Sequence, residues 1–335
     1  MVEPARAPVR RRGSLAAGLA LAALLALAAL VGPGGRGVDP RRQLDPAQAG
    51  HLPPGARIQS LRLADGRDLA APRIEVEGDV VRLFGASGET RIPAAEVAGG
   101  EPRAAIRTEA FPLGTDRFGR DLAARLLAGG RISLAVATLA VALSLAVGVP
   151  FGLLAGLAGP RWERASLGLI EAAQAFPRLF LLVALAAVAR PGLAPVVLLL
   201  GLTGWMPVAR LVRAEVRSLA GRDFVLAARA AGVGPLRLAL RHLLPNALAP
   251  VAIEGSLGAA SAIVAEATLS FLGLGLPPPT ASWGGMIADG RDVLASAWWV
   301  SVFPGLALAL AALAFNLIGE GLRDRLDPRA RRLEA

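Results

Sequence analysis

The chain has 335 residues, 54% of them hydrophobic, and a mean hydropathy of +0.53, which is too apolar for an average soluble protein and points to several membrane spans. The formal charge is +10 and all 36 basic residues are arginines, but they show no aromatic interleaving and no nucleic-acid motif, so nucleic acid is excluded as a partner. With no cysteine and only His51 and His242, disulfides, thiolate metal sites and a histidine metal cluster are excluded too.

A bilayer core of roughly 30 Å needs about 20 apolar residues at ~1.5 Å each. Six stretches meet or approach that length: 14–31, 132–157, 166–189, 193–212, 247–272 and 298–318. The first follows Arg10-Arg11-Arg12 and fits a signal peptide or an anchor; with five further spans behind it, an uncleaved anchor is the simpler reading. The basic triplet then sets the N-terminus in the cytoplasm. Alternation places Arg161 and Arg164, residues 213–246, and the 323–335 tail with Arg323, Arg325, Arg329, Arg331 and Arg332 on the same side, so both termini are expected inside. The segment between the first two spans is also arginine-rich, but long loops cross largely regardless of charge.

That segment, residues 32–110, is expected to be an extracytoplasmic insertion. Within it, 57–98 carries "RIQSLRL", "RIEVEG" and "DVVRLFG", which alternate in part, with turn signals at Asp65-Gly66, Gly78-Asp79 and Ser87-Gly88. A small β module fits; a solvated spacer with transient hairpins is the other reading. Residues 111–131 follow as an amphipathic segment at the membrane surface. Thr115 or Asp116 can cap a short helix with Leu122, Leu126 and Leu127 on one side, leaving Arg117, Arg120 and Arg125 to snorkel towards headgroups of the membrane lipid.

No nucleophile motif, phosphate loop, paired-carboxylate pattern or metal-ligand spacing occurs, so the chain is not expected to be an enzyme or to bind a cofactor or metal. "GLGLPPP" is a turn after the fifth span rather than a phosphate loop, because prolines and no lysine follow it. Ionisable residues inside spans are costly and therefore candidates for function. Glu171, Arg178 and Glu266 qualify, with Glu254 nearer the cytoplasmic end of its span. Glu266 is the deepest; the translocation path and the bundle interior are both open to all three.

Between the fourth and fifth spans lies a polar interruption. "DFVLAARAAG" from Asp223 predicts a short helix stopped by Gly232, in a position suited to positive φ. Pro235 can begin a second helix, where its missing N–H costs nothing, and Asn246 can cap the fifth span after Pro245 turns the chain. The product is a two-helix knob with small alanines and flanking arginines, more ordered than a loop that only sets topology would need to be.

Four stretches, "FVLAARAAGVGPLRLALRHLLPN", "FPLGTDRFGRDL", "AEATLSFLGLGLPPPTASWGGMI" and "FPGLALALAALAFNLIGEGLRDRLDP", closely resemble the permease subunits of ATP-binding-cassette importers of the dipeptide/oligopeptide/nickel group. The resemblance covers roughly the last two-thirds of the chain and the first span, and leaves out the β module. It implies an all-α, six-span type I importer permease, multi-pass in the bacterial inner membrane, with a permease core of five helices over 132–322. It also implies a second permease subunit, an extracytoplasmic solute-binding protein and two cytoplasmic ATPase subunits that hold the ATP and magnesium. The loop 213–246 that carries the knob then resembles the family's EAA loop, which inserts into a cleft on the ATPase and couples ATP hydrolysis to the spans. Carried over, the coupling residues are Leu226, Ala227, Ala228, Gly232, His242, Pro245 and Asn246. The family usually has an acid where this chain has Leu226, so docking is expected to rest on shape and apolar contact. Two rivals remain: a secondary transporter driven by an ion gradient, and a membrane-anchored interaction protein acting through its β module.

Overall fold

The computed structural model describes residues 13–35, 37–85, 88–99 and 101–326. The Arg10-Arg11-Arg12 triplet, Ser87 and the tail arginines Arg329, Arg331 and Arg332 lie outside the described residues. In chain order the helices are α1 (Ser14–Gly35), α2 (Pro46–Ala49), α3 (Pro102–Ala105), α4 (Leu122–Leu157), α5 (Pro160–Gln174), α6 (Arg178–Val188), α7 (Leu193–Ala220), α8 (Asp223–Ala230), α9 (Pro235–Leu238), α10 (Leu244–Phe271), α11 (Trp283–Asp289) and α12 (Trp299–Leu326). Among the described residues five helical stretches are long and apolar enough to cross a membrane: Ser14–Gly32, Leu122–Leu157, Leu193–Ala220, Pro235–Phe271 and Trp299–Leu326. The third expected span differs. It is two helices, α5 and α6, bent by 76° at Ala175-Phe176-Pro177, because a proline disfavours helical backbone at the residue before it. Counted as one span, the pair brings the total to six.

The chain divides into two compact units. One comprises the described residues of Met1–Leu25, Leu134–Leu269 and Ala309–Ala335. Within it α4 and α7 approach closely. Gly148, Gly152 and Gly156 repeat every fourth residue and face Val208, Val212 and Val216; a Cβ built on Gly152 would lie 2.6 Å from the Ala209 carbonyl oxygen. Small residues at this spacing let helix backbones approach in a membrane, where packing rather than the hydrophobic effect drives association. Ser144 on α4 adds a hydroxyl donor to the Gly201 carbonyl at 3.0 Å. Ser256 on α10 likewise donates to the Phe315 carbonyl of α12 at 2.6 Å.

The second unit comprises Ala26–Ser133 and Ser270–Leu308. It holds β1 (Ala56–Arg62), β2 (Asp68–Ala71), β3 (Arg73–Glu77), β4 (Val80–Gly85), β5 (Gly88–Pro93) and β6 (Arg107–Phe111), arranged as two three-stranded antiparallel sheets, β2-β1-β6 and β3-β4-β5. The alternation read from the sequence is real: Leu61, Ile74, Val81 and Leu83 are buried together with Val97. The module is larger than 57–98, however, since β6 pairs along β1 from Ala56↔Phe111 to Ser60↔Arg107.

The stretch 111–131 is also different from expectation. Thr115 caps no helix; its hydroxyl donates to the Ala49 carbonyl and accepts from the Leu52 amide. The Asp121 carboxylate instead accepts from the Ala124 amide, and α4 starts at Leu122 and runs without interruption into the span. No separate amphipathic surface helix is present among the described residues here. Arg120 and Arg125 do not snorkel: both are buried at 3% exposure. Arg120 Nε donates to Asp116 Oδ2 at 2.6 Å, Arg125 Nε lies 3.2 Å from the same oxygen, and both guanidinium groups approach Asp289 Oδ2 at 3.7–3.8 Å. Burying these charges is tolerable only because each is paired. Arg117 alone stays largely exposed, 3.5 Å from Asp289.

Candidate functional site

The knob forms as its residues dictate. Arg222 stands in extended conformation before α8, and Asp223 follows in the first turn, where a negative charge suits the helix dipole. The helix ends when Gly232 takes φ +77°, with the Gly232 amide bonded to the Arg229 carbonyl and the Val233 amide to the Ala228 carbonyl. Pro235 then opens α9 at its first position. One face of the knob is rooted in the first unit: Val225, Leu238 and Leu243 are buried with Leu153 of α4, Val212 and Val216 of α7 and Val251 of α10. Away from this root the knob exposes large apolar side chains among its arginines. Phe224 is 41% exposed, Leu226 50%, Leu236 72% and Leu240 54%.

The end of the knob corrects one expectation. Asn246 does not cap a new helix, and Pro245 does not turn the chain. Residues Ala239–Leu243 form a π-helical turn that joins α9 directly to α10, so the path is helical from Pro235 to Phe271. Asn246 Nδ2 donates back to the His242 carbonyl at 2.6 Å, within that continuous helix. A π turn holds one residue more than an α turn, which explains why the boundary could not be placed by α-helical spacing. Of the seven expected coupling residues, Leu226 and Ala227 are exposed on α8, Ala228 packs inward, Gly232 shapes the turn, and His242, Pro245 and Asn246 lie on the continuous helix.

The charged span residues separate. Glu266 is fully enclosed, at 0% exposure, and holds an interaction inside the protein. Glu171 is exposed on α5. Arg178, the first residue of α6, lines a cavity of about 170 Å³ in the first unit, together with Glu254 of α10, Ser144, Gly204, Gly258 and Ser261. Reading spans one at a time did not reveal that Arg178 and Glu254 share a cavity. In the sequence they lie on different spans, and the bundle brings them to one cavity.

A family model described as "Binding-protein-dependent transport system inner membrane component" matches residues 148–332. The chain belongs to that family: it is an inner-membrane component of a binding-protein-dependent transport system. The matched stretch begins inside α4, so both β sheets lie outside it. Among similar proteins is a di/tripeptide transport system permease protein of Pseudomonas aeruginosa (strain UCBPP-PA14), 45% identical over 219 residues, covering 65% of this chain and 72% of that protein. A putative peptide transport system permease protein of Brucella suis biovar 1 is 46% identical over 217 residues, covering 64% and 73%. Among solved structures, an inward-facing MetNI methionine ABC transporter aligns with a TM-score of 0.49 at 20% identity, over 59% of this chain and 94% of that one.

Proposed function

We propose that the chain is one of two permease subunits of an ATP-binding-cassette importer of short peptides, with the type I importer fold. The knob 223–243 is where ATP hydrolysis in a partner is passed to the spans. Family membership and the peptide-permease names of its relatives support the class and the cargo. The observation that carries the coupling role is that the knob has a buried root yet leaves Phe224, Leu226, Leu236 and Leu240 exposed. Large apolar residues exposed within one short, ordered segment are a feature of partner-binding surfaces. On this reading the partners are a second permease subunit, two cytoplasmic ATPases that hold ATP and magnesium, and an extracytoplasmic binding protein. The chain itself supplies no catalytic group and binds no cofactor, and both termini lie in the cytoplasm.

The test is the Gly232→Val substitution. A β-branched residue at φ +77° is strained by about 1–2 kcal/mol, which the short α8–α9 turn must relieve by opening. The expected outcome is loss of co-purifying ATPase while the permease still inserts. Undiminished ATPase recovery would remove the knob from the coupling role.

A further inference from the structure

Arg178 and Glu254 come from different spans and line the same cavity. Neither has an ion-pair or side-chain hydrogen-bond partner among the described residues. Ionisable side chains at membrane depth are costly to keep and line water-filled cavities or solute pathways. The cavity exists because the surrounding residues are small: Ser144, Gly204, Gly255, Gly258 and Ser261 all lie on its walls. A Cβ at Gly204 would collide with the Ser144 hydroxyl and come within 3.8 Å of Arg178 Nη2, so the guanidinium reaches over α7 through space that a glycine keeps open. Arg178 is also the first residue of α6, a helix that begins at a break in a span. In transporters, half-helix ends of this kind face the charged groups of a solute.

We propose that this cavity is a solute subsite on the translocation path, in which Arg178 receives the α-carboxylate of a short peptide and Glu254 its α-ammonium group. The inference rests on the peptide-permease reading above. One positive and one negative group on separate walls suit a dipolar solute, whose ends in a dipeptide are at most about 7 Å apart. A bare metal cation, the other cargo class implied by the family resemblance, would meet Glu254 but be opposed by Arg178. A cavity of about 170 Å³ suits a short peptide better than a long one.

The complete importer with its binding protein, reconstituted in liposomes, provides the test. Uptake of dialanine is compared with that of its C-terminal amide and of its N-acetyl derivative. Only the permease varies, so selection by the binding protein cancels between variants, and the ratios do not depend on how much complex assembles. Arg178→Gln is expected to lower the free-to-amidated uptake ratio about tenfold and to leave the free-to-acetylated ratio unchanged; Glu254→Gln is expected to do the reverse. Wild-type ratios in both variants would overturn the subsite. If Arg178→Gln takes up neither peptide, Arg178→Lys decides: recovered uptake at the wild-type ratio supports the subsite, and no recovery overturns it. A wild-type importer that takes up no peptide at all would instead sink the peptide reading, and the subsite with it.

Discussion

Leu226 stands half exposed on α8, where the family resemblance implies an acid. An exposed ion pair is worth only about 0–1 kcal/mol, so an acid at this position is not needed to hold a partner against exposed apolar side chains. Leu226→Glu is therefore expected to change transport-coupled ATP hydrolysis by less than about fivefold; a larger gain would mark the leucine as a defect. In the β module, hydrogen bonds from Arg82 and Arg91 hold the Glu89 carboxylate down at about 2, against an ordinary value of 4.5. Because its folded pKa is depressed, Glu89 favours the folded sheet above its ordinary value and loses that contribution as pH falls from about 4.5 towards 2. Carboxyl carbon titration by NMR should find it low, and Arg82→Met should move it back up. At this scale the sequence was informative where geometry is local. Gly232 and Pro235 announce the turn through their own backbone preferences. Arg120 and Arg125 looked like surface residues because Asp289, which helps pair them, lies far along the chain.

Among the elements, helix contacts rather than helix propensities set what can change. Gly152 has no space for a methyl group, whereas Gly168 on α5 has nothing within 4 Å of a built Cβ. Gly152→Ala is expected to destabilise the chain by about 1–3 kcal/mol through overpacking. Gly168→Ala should instead stabilise it by up to about 1 kcal/mol through helix propensity. Thermal unfolding in detergent would separate the two, and equal effects would contradict the packing described. The apolar runs revealed most of the long helices directly, and Pro177 was a readable warning that the third run would break. The join between α9 and α10 was not readable. A π turn is stabilised by its surroundings and has no residue signature like that of a glycine or a proline.

For the molecule as a whole, the β sheets lie outside the stretch matched by the family model, and their ends are convenient for removal. Ala56 and Phe111 are register partners on β1 and β6, so residues 55–111 can be excised and the cut ends joined across one pair of neighbouring strands, about 5 Å apart. If the module serves binding-protein delivery, the excised chain should still assemble with its ATPase and lose uptake. Unchanged uptake would relieve the module of that role. Cutting at 57 and 98 would leave β6 without its partner strand, an error that only the long-range pairing exposes.

The helical path from Pro235 to Phe271 has 37 residues, or about 55 Å of rise against a hydrocarbon layer of roughly 30 Å. It works as a crank: Leu236 rides on one arm and Glu254 on the other, with Leu240 in the π turn between them and no hinge of non-helical backbone. The π turn then fixes the phase between the two arms. Deleting Leu248, in the α-helical stretch after the π turn, would turn the outer arm by about 100° relative to Glu254 while leaving the path helical, so stroke and load would fall out of step. Peptide uptake should then fail even where ATPase binding survives.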